Sequence, residues 1–383
     1  MKKQSLSLYD LDTTVPHVPH VTHVPHVPHV QPHQASEHLD FKTNLKTAWL
    51  TVNRGCNFRC RWCYGQSSCF DPNANMTLEL AQKLTLFSKE LGINTMVILG
   101  GEPTIWEPLD EYITFCKSIG MRTNLVSNGY RFSNDEYWEK YKSNPADAVA
   151  LSVKSGNKEE FKEVTGVDLF DKTLLGIQRS LDVNTHWITT VFNALVGKEG
   201  LMEIALKGRD LGAEGLLISI CTAVIDTDNN IENNYSLQLD KLVRDLTEVY
   251  PELDSLYNGK LEIELNVPLC LFSEEFIQTL HNKGQLKSTC HVQSRTGIVF
   301  DTNGDILPCN TMIGNVIAKY GTDYTDSKSL YNHLNSDEMI SNYKQLLRYP
   351  SEVCDKCRLN TLCKGGCIMN WTIFNPDICT PFI

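Results

Sequence analysis

Residues 54–69 read RGCNFRCRWCYGQSSC, which places Cys56, Cys60 and Cys63 in the spacing C-x3-C-x2-C and Cys69 six residues further on. Whether Cys69 closes a four-thiolate site decides the chemistry: four thiolates around one ion make structural zinc, whereas three leave a metal open to a further ligand. Zinc knuckles pair C-x2-4-C units across a longer gap. A cubane iron–sulfur cluster instead takes closely spaced cysteines from one loop, and C-x3-C-x2-C would supply three of its four irons. The spacing favours iron and sulfur over zinc, with the role of Cys69 open.

The stretch lies where a parallel sheet would expose it. From Lys46 short apolar runs alternate with helical stretches, the pattern of an α/β fold. Strands are predicted at 48–53, 95–100, 122–128, 148–154, 186–192 and 215–222. In the first intervening helix Leu80, Leu84, Phe87 and Leu91 form one apolar stripe, Thr77 can cap the start and Gly92 ends it. Six such units up to about residue 250 make a partial (β/α)6 barrel or a doubly wound sheet, and either binds ligands at the carboxyl ends of its strands. The cysteines follow the first strand directly. After one more helix near 236–249 the alternation stops, cysteine density rises, and GIVFDTNGDILPC reads as a hairpin turning at Asn303-Gly304. The expected division is a tail (1–45), a barrel (46–250), and a bridging region with a small cysteine-rich domain (251–383).

Composition narrows the function. At 383 residues, 42% hydrophobic and 21% charged, the chain has the make-up of a globular protein. Its 35 basic against 46 acidic residues, with no basic stripe, argue against nucleic acid as a partner. The N-terminus lacks an apolar signal core, and the longest apolar run, 216–225, falls far short of the about 20 residues that span a bilayer. No membrane is implied and the cytoplasm is the default location. Fourteen cysteines without a secretion signal point to metal or redox chemistry rather than disulfides. In the His-Val-Pro tail, His17, His20, His23, His26 and His29 recur every third residue. Polyproline II geometry would line them along one edge roughly 9 Å apart, too far for neighbours to share a metal. The tail reads as disordered, with metal handling or partner docking as the other uses.

CNFRCRWCYG, followed one strand later by GGEP at Gly100–Pro103, resembles the radical S-adenosylmethionine (radical SAM) superfamily. The resemblance implies that Cys56, Cys60 and Cys63 hold a 4Fe-4S cluster whose fourth iron chelates S-adenosylmethionine, so that Cys69 is not a ligand. Gly100 and Gly101 would let backbone approach the cofactor, and Glu102 would accept from its ammonium group. Trp62 stands where relatives often place an aromatic residue against adenine, and Asn128 and Ser152 match strand ends that contact the methionine and ribose portions. Where many relatives have Asp in the sequence after the fourth strand, this chain has Lys154, with no Arg nearby. Tyr64, Glu102 and Lys154 fall near the expected cavity, and no catalytic acid or base is singled out among them.

The C-terminal cysteines, Cys290, Cys309, Cys354, Cys357, Cys363, Cys367 and Cys379, resemble the SPASM domain in all their spacings. Relatives hold two auxiliary clusters with crossed pairing, which implies Cys290, Cys309 and Cys367 on the first and Cys354, Cys357, Cys363 and Cys379 on the second. Cys270 lies upstream where some relatives have an eighth cysteine and is a candidate for the missing ligand of the first; otherwise that iron is open to substrate. By spacing alone the C-x2-C-x5-C-x3-C run would also permit zinc. Cys116 and Cys221 match no motif and read as buried hydrophobes.

The two resemblances together imply an enzyme with three 4Fe-4S clusters that reductively cleaves S-adenosylmethionine to a 5'-deoxyadenosyl radical and oxidatively crosslinks side chains of a ribosomally made peptide. Its partners would be that peptide, an electron donor such as flavodoxin or ferredoxin, and a separate leader-binding protein. The alternatives are a sulfatase-maturase-like side-chain oxidase, which Asn310 in place of a basic Asp disfavours, a small-molecule alcohol dehydrogenase, and a zinc-bound scaffold.

Overall fold

In the computed structural model the six predicted strands form and pair in sequence order. They are β1 (Thr47–Thr51), β2 (Thr95–Leu99), β3 (Arg122–Ser127), β4 (Ala148–Ser152), β5 (Trp187–Phe192) and β6 (Gly215–Ile220), and every pair among them is parallel. The structure describes residues 43–66, 71, 73–183, 186–225, 231–233, 235–288, 290–346, 352–372, 378–380 and 382. The His-Val-Pro repeat and Cys69 lie outside them.

The strand order decides between the two predicted architectures. A doubly wound sheet reverses its order at a switch point, whereas here the order runs β1 to β6 without reversal. Right-handed crossovers in one direction lay all the helices on one face, which is barrel winding. Closure does not occur, because each edge is taken by a later strand. After a two-stranded ribbon, β7 (Val224–Ile225) with β8 (Ile231–Asn233), β9 (Leu261–Glu264) pairs parallel with β6, and β10 (Leu286–Lys287) with β9. On the other edge β11 (Gly297–Phe300) pairs parallel with β1 and turns back as β12 (Ile306–Leu307). The expected hairpin therefore forms, and the sheet runs on past residue 250 where the alternation was expected to stop.

Short polar side chains cap the helices that follow Thr77, Asn134 and Asn157. α1 (Leu78–Glu90) begins at Thr77, whose hydroxyl accepts from Leu80 N, and buries Ala81, Leu84 and Phe87. The next helices are α2 (Leu109–Ser118), α3 (Asp135–Ser143), α4 (Lys158–Thr165), α5 (Phe170–Leu181) and α6 (Gly197–Asp210). α7 (Leu239–Leu256) runs beyond its predicted end through Pro251, which costs one hydrogen bond of the preceding turn. Ala48, Leu50, Ile98, Leu125, Leu151, Ile188, Ile218 and Ile263 make the core against the helices. Their neighbours on the opposite sheet face, Asn124, Ser152, Thr189, Ser219 and Glu264, are only half-buried. The face turned from the helices is thus a partly polar, open wall. Cys116 and Cys221 are buried, as their apolar contexts predicted.

Candidate metal and cofactor sites

The cysteine loop leaves β1 and folds back on two supports. Arg59 N and Arg61 N donate to Thr165 O and Val164 O at the end of α4. Beneath, Phe58 packs edge-on to Phe161 with ring centroids 5.5 Å apart, and Phe161 on Phe170 at the same distance, so Cys60 joins a small apolar cluster. Cys56, Cys60 and Cys63 lie close enough to feel one another's charge. Burial, and then the neighbouring Glu102 carboxylate, push Cys56 up to about 12; burial pushes Cys60 up to about 11 against the pull of Lys154. A bound metal is what such thiols need to release their protons.

The GGEP turn is built against this loop. Gly101 N donates to Asn53 O and Glu102 N to Gly55 O. A Cβ on Gly100 would stand 2.2 Å from Asn53 Oδ1, and one on Gly101 2.2 Å from Gly55 O. Both glycines are therefore required by the contact between two loops of the chain itself. Glu102 is buried, and its carboxylate is met by four donors: Thr104 N at 3.1 Å, Thr104 Oγ1 at 2.6 Å, Ser127 Oγ at 2.8 Å and Asn128 N at 2.8 Å. Burial still raises its pKa. Asn128 carries the connection back to the cysteine loop, its Nδ2 donating to Asn57 Oδ1 at 2.9 Å. Trp62 is buried and belongs to the main core, while Ser152 accepts from Lys154 Nζ at 2.6 Å on the open sheet face.

The remaining cysteines fall into two groups. Cys367 is half-buried, its pKa raised by burial and by the nearby Cys290 and Cys309 thiols. Gly366 holds it in place: at φ +75° and with Val267 backbone 2.7 Å from its missing Cβ, it lets Cys367 N donate to Asn266 O. The other group, Cys354, Cys357, Cys363 and Cys379, lines one cavity, and Cys270 lines that cavity too. Its sequence expectation placed it with the first group; the turn after β9 carries it to the second instead.

The two ends of the molecule's chemistry are bolted together. Arg54, two residues before Cys56, makes a buried ion pair at 2.5 Å with Asp301 of the β11–β12 hairpin. Tyr64 sits close to both Cys63 and Cys309. Sequence reasoning named Tyr64 but missed Asp301, Ser219 and Glu264; the alternation Leu-Glu-Ile-Glu in β9 was the available signal for the last. Ser219 Oγ hydrogen-bonds Glu264 across the β6–β9 pair.

The donor sets fit iron–sulfur cofactors. Buried polar atoms without a protein partner collect around them: Asn53 Oδ1 and Asn57 Nδ2 at the first loop, and Gln293 Oε1, Asn310 Oδ1 and Asn370 Oδ1 beside the group of Cys290, Cys309 and Cys367. Such atoms are costly unless another group satisfies them.

A parallel sheet wound one way, with a three-thiol loop and a Gly-Gly-Glu turn at its carboxyl edge, defines an α/β partial barrel built for a metal cofactor. Residues 50–205, which carry the Cys56, Cys60 and Cys63 loop and the GGEP turn, match the model of the radical SAM superfamily. The chain is 29% identical over 165 residues to a probable GTP 3',8-cyclase of Saccharolobus islandicus, covering 43% of this chain and 52% of that one. It is 33% identical over 143 residues to the probable GTP 3',8-cyclase of Sulfolobus acidocaldarius, covering 36% and 44%. It thus spans about half the length of the curated relatives it matches. In fold it is similar to Streptococcus suis SuiB bound to its precursor peptide SuiA, with TM-score 0.64, 17% identity, and coverage of 87% of this chain and 74% of that one. It is also similar to anSMEcpe bound to AdoMet and the Cp18Cys peptide, with TM-score 0.62, 18% identity, and coverage of 84% and 88%. Among the described residues no helix is long and apolar enough to cross a membrane.

Proposed function

We propose that the protein is a radical SAM/SPASM peptide maturase that oxidatively crosslinks side chains of a ribosomally made peptide. The observation that carries the reading is the presence in one chain of three separated thiol groups, the first tied to the GGEP turn. Cys56, Cys60 and Cys63 hold the first 4Fe-4S cluster, Cys290, Cys309 and Cys367 the first auxiliary cluster, and Cys354, Cys357, Cys363 and Cys379 the second. Together with S-adenosylmethionine, the bound cluster supplies one-electron chemistry that removes a hydrogen atom from an unactivated carbon.

The chain's own residues do the rest. Gly100 and Gly101 fix the cysteine loop against the turn that carries Glu102. Glu102, held by four donors, sets the positions of Ser127 and Asn128, and Asn128 sets Asn57. Trp62 and Ser152 border the adenosyl end of the cofactor. The half-buried sheet face with Ser152, Thr189, Ser219 and Glu264 offers polar contacts that orient a peptide and exclude water from it. In this division residues 46–250 serve the first cluster and 251–383 the auxiliary pair, and thiols that must stay reduced to bind clusters suit the cytoplasm. A peptide substrate rests on the likeness to two peptide-bound structures over most of the chain. The likeness to probable GTP 3',8-cyclases covers under half of the chain and supports the domain rather than a nucleotide substrate. An electron donor such as flavodoxin or ferredoxin, and a separate leader-binding protein, complete the system.

The test is anaerobic reconstitution. The chain should take up about twelve irons with matching sulfide, form 5'-deoxyadenosine under dithionite, and shift the mass of a peptide encoded beside it with deuterium transferred into 5'-deoxyadenosine. Zinc in place of iron, with no 5'-deoxyadenosine, would refute the enzyme; turnover of a sugar alcohol but no peptide would refute the substrate.

A further inference from the structure

Four thiolates complete a 4Fe-4S cluster, yet the cysteines are not shared out four and four. Cys270, Cys354, Cys357, Cys363 and Cys379 line one cavity, while among the described residues Cys367 has Cys290 and Cys309 as its thiol neighbours. Cys270 is not a bystander at the cavity rim. It lies on the turn Leu269–Leu271 that follows β9, and Cys379 hydrogen-bonds both Cys270 and Cys354. Leu269 N, the residue before it, donates to Cys363 Sγ at 3.3 Å, and Thr380 Oγ1 donates to Cys270 O at 3.3 Å. The segment carrying Cys270 is thus joined to two other thiols of the set, Cys363 and Cys379, and to Thr380, the residue after Cys379.

We propose that Cys270 is a fifth ligand-competent thiol of the second auxiliary site, interchangeable with Cys379. The inference rests on the iron–sulfur reading above and deepens it by assigning a ligand. Exchange would be redox-neutral: Cys270 would bind iron as a thiolate in place of Cys379, and the proton Cys270 gives up would go to the Cys379 thiolate that leaves. No oxidant or reductant is consumed. The first auxiliary group keeps three thiolates, so its fourth position falls to a group other than a cysteine of this cavity.

The experiment uses the full chain, reconstituted anaerobically, as wild type, Cys270→Ala, Cys379→Ala and the double variant. Iron and sulfide are counted, and the reduced clusters are followed by electron paramagnetic resonance. Each single variant should keep about twelve irons, because four thiols remain at the site, and the double should fall to about eight. Continued 5'-deoxyadenosine formation at the Cys56, Cys60, Cys63 site shows that the double variant is folded; if it is not, the single variants decide alone. Loss of one cluster's iron in either single variant would overturn interchangeability. A change confined to the first auxiliary signal in Cys270→Ala would return Cys270 to that cluster. A wild-type chain that takes up no iron would instead overturn the reading of function on which the inference rests.

Discussion

Replacing Asp301 with Ala should weaken the fold and loosen the cysteine loop together. Arg54 and Asp301 are 2.5 Å apart, with side-chain exposures of 8% and 18%. Removing one partner of a buried pair leaves an uncompensated charge, at a cost of about 3–5 kcal/mol. The partial exposure of Asp301 lets water reach the guanidinium, so the lower end, about 3 kcal/mol, applies. That is roughly a hundredfold in the folding equilibrium, since each 1.4 kcal/mol is tenfold. Arg54→Met with Asp301→Ala removes the orphaned charge as well as the pair, so the double variant should recover part of the loss. Urea unfolding of the iron-free chain, run as a double-mutant cycle, measures this directly. Because Asp301 lies between β11 and β12 and Arg54 two residues before Cys56, the single variant should also lower retention of the first cluster. An Asp301→Ala midpoint within error of wild type, or strict additivity in the cycle, would show that the pair does not join the hairpin to the loop.

Three further outcomes are expected. Gly101→Ala, with its new Cβ 2.2 Å from Gly55 O, must push the cysteine loop away at about 3 kcal/mol, at the upper end of overpacking costs; thermal melting and iron uptake should both fall. Replacing Cys56, Cys60 or Cys63 with Ala should abolish the first cluster and 5'-deoxyadenosine formation, whereas Cys69→Ala should leave both intact, and absorbance with product analysis distinguishes them. Burial holds Cys56 and Cys60 at about 12 and 11, above the ordinary thiol value of 9.0, so the neutral thiols favour the folded iron-free chain below pH 9 and this contribution drains away as pH climbs toward 11–12. The melting temperature of the iron-free chain should therefore drop between pH 9 and 11, and a flat profile would contradict the burial of these thiols.

Features set by neighbours along the chain were legible in the sequence. Short apolar runs between helical stretches placed β1 to β6, and the i, i+4 stripe with Thr77 and Gly92 placed α1, because run length, periodicity and capping act over a few residues. C-x3-C-x2-C announced a shared loop for the same reason. The order β1 to β6, by contrast, is a barrel winding only through its hydrogen bonding, and β9 and β11 join the sheet's edges from a region that reads as separate. Gly100 and Gly101 were expected to admit a ligand and instead admit the chain's own backbone.

What the amino-acid order determined by itself was the local chemistry: which residues are thiols, how closely three of them follow one another, and which strand delivers them. Only the tertiary structure decided the company they keep. Cys270 lies more than eighty residues from Cys354 in sequence and in the same cavity in space, and Asp301 meets Arg54 across a separation of 247 positions. Spacing along a chain constrains contacts only over the reach of a loop. Beyond that, strand pairing and packing choose the partners, and here they grouped five thiols where an even division would have placed four.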